Sequence, residues 1–64
     1  MNITLNGEAT VTQAATVEAL VAEVGAPADG TAVAIDGEVV PRSQWGRKLH
    51  DGCAADILTA VQGG

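Results

Sequence analysis

Residues 16–25 are TVEALVAEVG, a stretch with every mark of one short amphipathic helix. Val17, Leu20, Val21 and Val24 fall at i, i+3, i+4 and i+7, the spacing that lines one stripe of an α-helix. Thr16 is placed to cap the N-terminus, and Glu18 lies in the first turn, where the helix dipole favours an acid. Gly25 suits the left-handed position past the last turn, and Pro27 forbids continuation. One short helix with one apolar stripe is predicted. A stripe needs a partner surface.

Working outward, residues 2–11 (NITLNGEATV) supply half of that surface. Ile3 and Leu5 alternate inward, Asn6-Gly7 is a two-residue turn of positive φ, and Ala9 and Val11 resume the alternation beyond it. On the other side of the helix a loop, APADGT, leads to AVAID, where Val33 and Ile35 face one way. Asp36-Gly37 is a second hairpin turn, followed by a short strand, EVV. PRSQWG opens on proline and is too short for an α-helix, so a single 3₁₀ turn over residues 41–46 is predicted. RKLH reads as a short edge strand, Asp51-Gly52 as a third turn, and ADILTAV as the closing strand. In the expected phase of that strand Ile57 faces inward, with Leu58 and Ala60 outward; a slip of one residue would exchange the two sets.

A lone helix after a hairpin can bury its stripe only against one face of a sheet, so the later strands must lie beside the first hairpin. The prediction is an α+β fold: a mixed four- to five-stranded sheet packed on one helix, with a short 3₁₀ turn and a partly bare outer face. Sixty-four residues allow one domain, and a chain of this size buries only about 60% of its unfolded surface. The expected organisation is a domain over residues 1–61 and a flexible Gly-Gly tail over 62–64.

Composition narrows the function. The net charge of −5 sets eight carboxylates against Arg42, Arg47 and Lys48. That balance disfavours phosphate backbones and anionic lipid, so neither nucleic acid nor membrane is an expected partner. Trp45 is the sole aromatic residue, which leaves no stacking platform; it is expected in the core, with Arg42 beside it solvated or paired with a partner acid. A single cysteine, Cys53, excludes an internal disulfide and a four-cysteine metal site. The chain opens without a signal-peptide pattern and has no apolar run long enough for a bilayer, so a soluble, cytoplasmic protein is expected.

Catalytic machinery is not evident. His50 is the sole histidine and reads as a surface residue beside Asp51. Cys53 reads as a small, half-buried residue where the last strand begins, with no nucleophile-elbow motif to support a catalytic role. The carboxylates are scattered, so no acid–base pair and no metal ligand set is nominated. The expectation is a protein without catalytic residues and without a bound cofactor.

The end of the chain is the exception. Gly63 and Gly64 contribute no packing and are entropically costly to order. Their absent side chains do suit one task, which is threading an α-carboxylate into another protein's pocket. An α-carboxyl group ionises at a pKa of about 3.3–3.7, so it must be activated before a nucleophile can attack it. Attack by the carboxylate on the α-phosphate of ATP gives the acyl-adenylate that such activation requires.

Read whole, the sequence resembles the ThiS family, sulfur carriers of thiamine biosynthesis within the ubiquitin-like β-grasp group. The likeness rests on NITLNGE, TVEALVAEVG, AVAIDGEVVPRSQW, the DG turn before the last strand and the terminal GG. The resemblance implies a β-grasp fold and a role as protein co-substrate rather than enzyme. It implies that a ThiF-type enzyme adenylates Gly64 with ATP, that a sulfur donor protein supplies sulfur, and that the thiocarboxylate feeds a ThiG-type thiazole synthase. Carried over by position, Gly64 bears the sulfur, Gly63 and Gln62 thread the tail, and the outer face of the last strand, with Leu58 and Ala60, meets the partners. Cys53 departs from the pattern, standing where the family commonly has an acidic residue. The alternatives are a molybdopterin-type sulfur carrier, a ubiquitin-like modifier using the same tail, and an interaction module without covalent chemistry.

Overall fold

The structure, a computed structural model, describes residues 1–59. Two two-residue turns organise the sheet. Asn6 and Gly7 have φ of 50° and 83°, and Asp36 and Gly37 have 52° and 82°. These left-handed pairs match the twist of the strands they join, and Asn-Gly and Asp-Gly are among the pairs that adopt them readily. The first turn joins β1 (Asn2–Leu5) to β2 (Glu8–Val11), and the second joins β3 (Thr31–Ile35) to β4 (Glu38–Val40). The helix α1 (Val17–Val24) lies between the hairpins in sequence, and β5 (Ala54–Thr59) follows a 3₁₀ turn at Arg42–Gln44.

The sheet runs β2-β1-β5-β3-β4, with β5 at the centre, parallel to β1 and antiparallel to β3. The last strand therefore joins two hairpins that do not otherwise pair. Ile3, Val33, Ile35, Val40, Ala55 and Ile57 form the inner face and share one core with Val17, Leu20 and Val21 of the helix stripe. Thr16 caps α1, its Oγ1 accepting from Ala19 N at 3.1 Å, and Gly25 closes it in the left-handed conformation, φ 83°.

Four expectations need correction. Ala9 and Val11 do resume the alternation, but on the outer face, and Val11 is 77% exposed. A two-residue turn at 6–7 pairs Ile3 with Thr10 and Leu5 with Glu8, so β2 turns its even-numbered residues inward. That row continues to Thr12, which is buried; its Oγ1 accepts from Ala14 N at 3.0 Å and donates to Glu23, leaving no orphaned hydroxyl. Val24 closes the helix stripe in sequence but is half exposed, in the last turn before Gly25. RKLH is not a strand; it makes one isolated bridge, Lys48 to Thr16, and buries Leu49 beneath it. Cys53 is fully buried rather than half-buried, because the chain passes into the core between Gly52 and β5.

Candidate functional site

β5 divides its side chains between two tasks. Ala55 and Ile57 enter the core, whereas Asp56 and Leu58 point to the outer face, Leu58 remaining 71% exposed. This is the phase expected from the sequence. Opposed residues in register share a face, so Leu58 lies beside Ala32, and Asp56 beside Ala34 and then Val39. Val39 is also 71% exposed. The result is an uncovered apolar patch of Leu58, Ala32, Ala34 and Val39 around one carboxylate, Asp56.

The positions expected of Ala60, Gln62, Gly63 and Gly64, and the expected mobility of Gly64, lie outside the described residues. Thr59, the last described residue of β5, pairs with Thr31 at the start of β3. That pair lies at the end of the sheet where the 26–30 loop enters β3.

The helix side carries a groove of about 290 Å³ lined by Glu18, Val21, Ala22, Ala26, Arg42 and Trp45 among others. Trp45 is buried, as expected, and its indole N–H donates to the Val40 carbonyl at 3.2 Å. Arg42 is solvated, as expected, and the acid it pairs with is the chain's own Asp29; its guanidinium lies 6.0 Å from the Trp45 ring centroid.

His50 is at the surface, as expected, but it is not idle. Its Nε2 lies 2.8 Å from Asp36 Oδ2, and its Nδ1 lies 3.3 Å from the Asp51 carbonyl. The hydrogen bond to Asp36 raises the His50 pKa above its ordinary value, with the Asp51 carbonyl adding to the effect. Asp36 is held below the ordinary carboxylate range, first by accepting the Ala54 backbone N–H and then by His50. His50 and Cys53 do not form a reactive dyad: Cys53 is fully buried while the His50 imidazole is engaged outside by Asp36. Among the described residues no group of three or more His, Cys, Asp or Glu side chains could hold a metal ion, and no helix is long and apolar enough to cross a membrane.

A five-stranded mixed sheet wrapped on one helix, with its last strand central and parallel to the first, is a β-grasp domain. A sequence model of the ThiS family matches residues 2–64, and the chain belongs to that family. The crystal structure of a thiamine biosynthesis protein (ThiS) from Geobacter metallireducens is similar, with a TM-score of 0.82 and 30% identity over 100% of both chains. A solution structure of a thiamine biosynthesis protein from Geobacter metallireducens superposes with a TM-score of 0.83 at 30% identity, covering 100% of this chain and 88% of that one. No curated protein matches the sequence. Family and neighbours together support a sulfur-carrier role.

Proposed function

We propose that this chain is the sulfur carrier for the thiazole moiety of thiamine, with the Gly64 carboxylate as the carrying group. Membership of the ThiS family over residues 2–64 is the observation that carries the reading. A ThiF-type enzyme binds ATP, and one oxygen of the Gly64 carboxylate attacks the α-phosphorus, releasing pyrophosphate. A sulfur nucleophile at the oxidation level of sulfide, delivered by a donor protein, then attacks the acyl carbon. AMP leaves with its electron pair, and the product is a thiocarboxylate. A ThiG-type thiazole synthase takes the sulfur from it.

The residues of this chain bind and present; the covalent chemistry belongs to the partners. Five residues follow Thr59, and fully extended they span at most roughly 16–18 Å, which suffices to enter a buried pocket while the domain stays outside. Gly63 and Gln62 thread, since a backbone without Cβ atoms at its last two positions lets pocket walls close on it. Leu58, with Ala60 beyond it, belongs to the docking face. The apolar patch around Asp56 fits a partner surface that is apolar with a basic group. The setting is the cytoplasm, and ATP is consumed by the partner rather than held here.

The test is intact-protein mass spectrometry after incubation with ATP, sulfide and a ThiF-type enzyme. The expected result is the mass gain of one oxygen replaced by sulfur, abolished when the Gly64 carboxylate is amidated. Conjugate ladders on lysines would favour a modifier instead, and an amidated chain that still supports thiazole formation would overturn the proposal.

A further inference from the structure

The two hairpin turns share more than their geometry. Each reads Asn/Asp-Gly-Glu, Asn6-Gly7-Glu8 and Asp36-Gly37-Glu38, and each flanks the central strand β5 from one side. In the parallel ladder of β1 and β5, Asn6 N donates to the Ala55 carbonyl at 2.9 Å. The next rung of a parallel ladder runs from Ile57 N to the Asn6 main-chain carbonyl. Here Ile57 N donates to the Asn6 side-chain Oδ1 instead, at 2.8 Å.

The antiparallel side repeats the substitution. Asp36 N donates to the Ala54 carbonyl at 2.7 Å. The reciprocal rung of such a pair runs from Ala54 N to the main-chain carbonyl of residue 36. Ala54 N donates to Asp36 Oδ1 instead, at 2.9 Å. Both residues have left-handed backbones, φ 50° and 52°, which takes each of them out of the extended conformation a ladder carbonyl needs. A carboxamide and a carboxylate reach back and supply the acceptor that the turn removed.

We propose that Asn6 and Asp36 are positioning residues, a pair of side-chain clamps that fix the register of β5 and thereby the point at which the chain leaves the domain toward its partners. The clamps grip Ala54, where β5 begins, and Ile57, the neighbour of Leu58. A glycine at either position would make the turn as well, so the turn alone does not require Asn or Asp. The functional half of the proposal rests on the carrier reading above; the clamp itself does not.

The experiment uses the full chain in solution. In the wild type, a scalar coupling across the hydrogen bond from the Ile57 amide nitrogen to the Asn6 side-chain carbonyl carbon is expected, and its absence in a folded protein overturns the Asn6 clamp. Asn6→Gly keeps the turn and removes the acceptor. It is expected to speed amide exchange at Ile57 by about tenfold while α1 amides keep their rates, because loss of a local partner opens the structure locally. Asp36→Gly is expected to do the same at Ala54, and serves as the independent variant if Asn6→Gly folds poorly.

Asn6→Asp and Asp36→Asn keep an acceptor and are expected to restore slow exchange; failure to do so overturns the proposal. With a ThiF-type enzyme, Asn6→Gly is expected to raise the KM for the carrier roughly threefold at unchanged kcat, since it removes binding order and leaves the chemistry alone. An unchanged KM overturns the positioning role. A wild-type chain that is never adenylated overturns the carrier reading, and the exchange and coupling data still decide the clamp.

Discussion

Replacing Trp45 is the sharpest test of how this small core is held. The indole is buried under the 3₁₀ turn, and its N–H reaches the Val40 carbonyl at 3.2 Å. Trp45→Ala removes a ring from a closed core and is expected to cost about 3–5 kcal/mol. At 0.05–0.15 kcal/mol per residue, the 64-residue chain has roughly 3–10 kcal/mol in total. The alanine variant therefore stands at the edge of unfolding. Trp45→Phe keeps a ring but loses bulk and the donor to Val40, and is expected to cost about 1–3 kcal/mol. With an m-value of about 1 kcal/mol/M for a domain this small, its urea midpoint should fall by about 1–3 M. Far-UV circular dichroism is the right probe, because both substitutions remove the only aromatic reporter. If Trp45→Ala unfolds within about 0.5 kcal/mol of the wild type, the ordinary range for a surface substitution, the ring is not part of the core and the reasoning fails.

Three other outcomes are expected. Asp36, held low by Ala54 N–H and His50, contributes stability that is present above its unfolded value of 3.8 and lost as pH falls through its lower folded value. His50, raised by Asp36, contributes stability that is full below 6.5 and lost as pH rises through its higher folded value. Thermal midpoints should thus be highest between about pH 4 and 6.5 as far as this pair contributes, and His50→Ala should abolish the decline on the alkaline side. Thr16→Ala removes the acceptor for Ala19 N and should cost about 1 kcal/mol in a urea titration. Leu58→Asp, on the uncovered face, should leave the urea midpoint unchanged and raise the KM of a ThiF-type enzyme for the carrier, and an unaltered KM would remove Leu58 from the docking face.

Most of the architecture is legible because it depends on local chemistry. Asn6-Gly7, Asp36-Gly37 and the Thr16-to-Gly25 helix each carry their own stop signals, and each formed where those signals stand. The pairing arithmetic of the first hairpin was equally available: a two-residue turn at 6–7 pairs odd positions with even ones, so an inward Ile3 requires an inward Thr10 and an outward Val11. Hydrophobicity pointed the other way at Val11, and geometry prevailed. Leu49 and Cys53 were harder to place. Their burial depends on how the 47–53 segment crosses under the helix end, where Leu49 N donates to the Ala15 carbonyl and Cys53 N to His50. The first contact joins distant positions and the second is a local turn, and neither leaves a periodic trace.

The site was legible in proportion to how far it depends on strand alternation. Period two placed Leu58 opposite Ile57, and the burial of Ile57 chose the phase, whereas Asn6 and Asp36 read as turn residues and nothing more. The clue was the repeat of Asn/Asp-Gly-Glu at two turns, since a turn needs only positive φ and glycine supplies that more cheaply than a side chain with an acceptor. That excess matters because β5 carries three decisions on one register. A slip of one residue would exchange Ile57 with Leu58, drive the Asp56 carboxylate into the core, remove it from the outer patch and shift the strand by about 3.3 Å. Core burial penalises such a slip, but Ala55 is small, and Ala54 and Ala55 would exchange at little cost in volume. Main-chain rungs reject such a slip as well, because successive N–H groups point to opposite neighbours, but each turn removes one rung beside β5. Oxygens fixed on both flanks at Ala54 and Ile57 do discriminate, since shifted by one they would face N–H groups that point to the opposite neighbour. The central strand is therefore held where its hydrophobic pattern is weakest by acceptors that do not tolerate a slip of one residue.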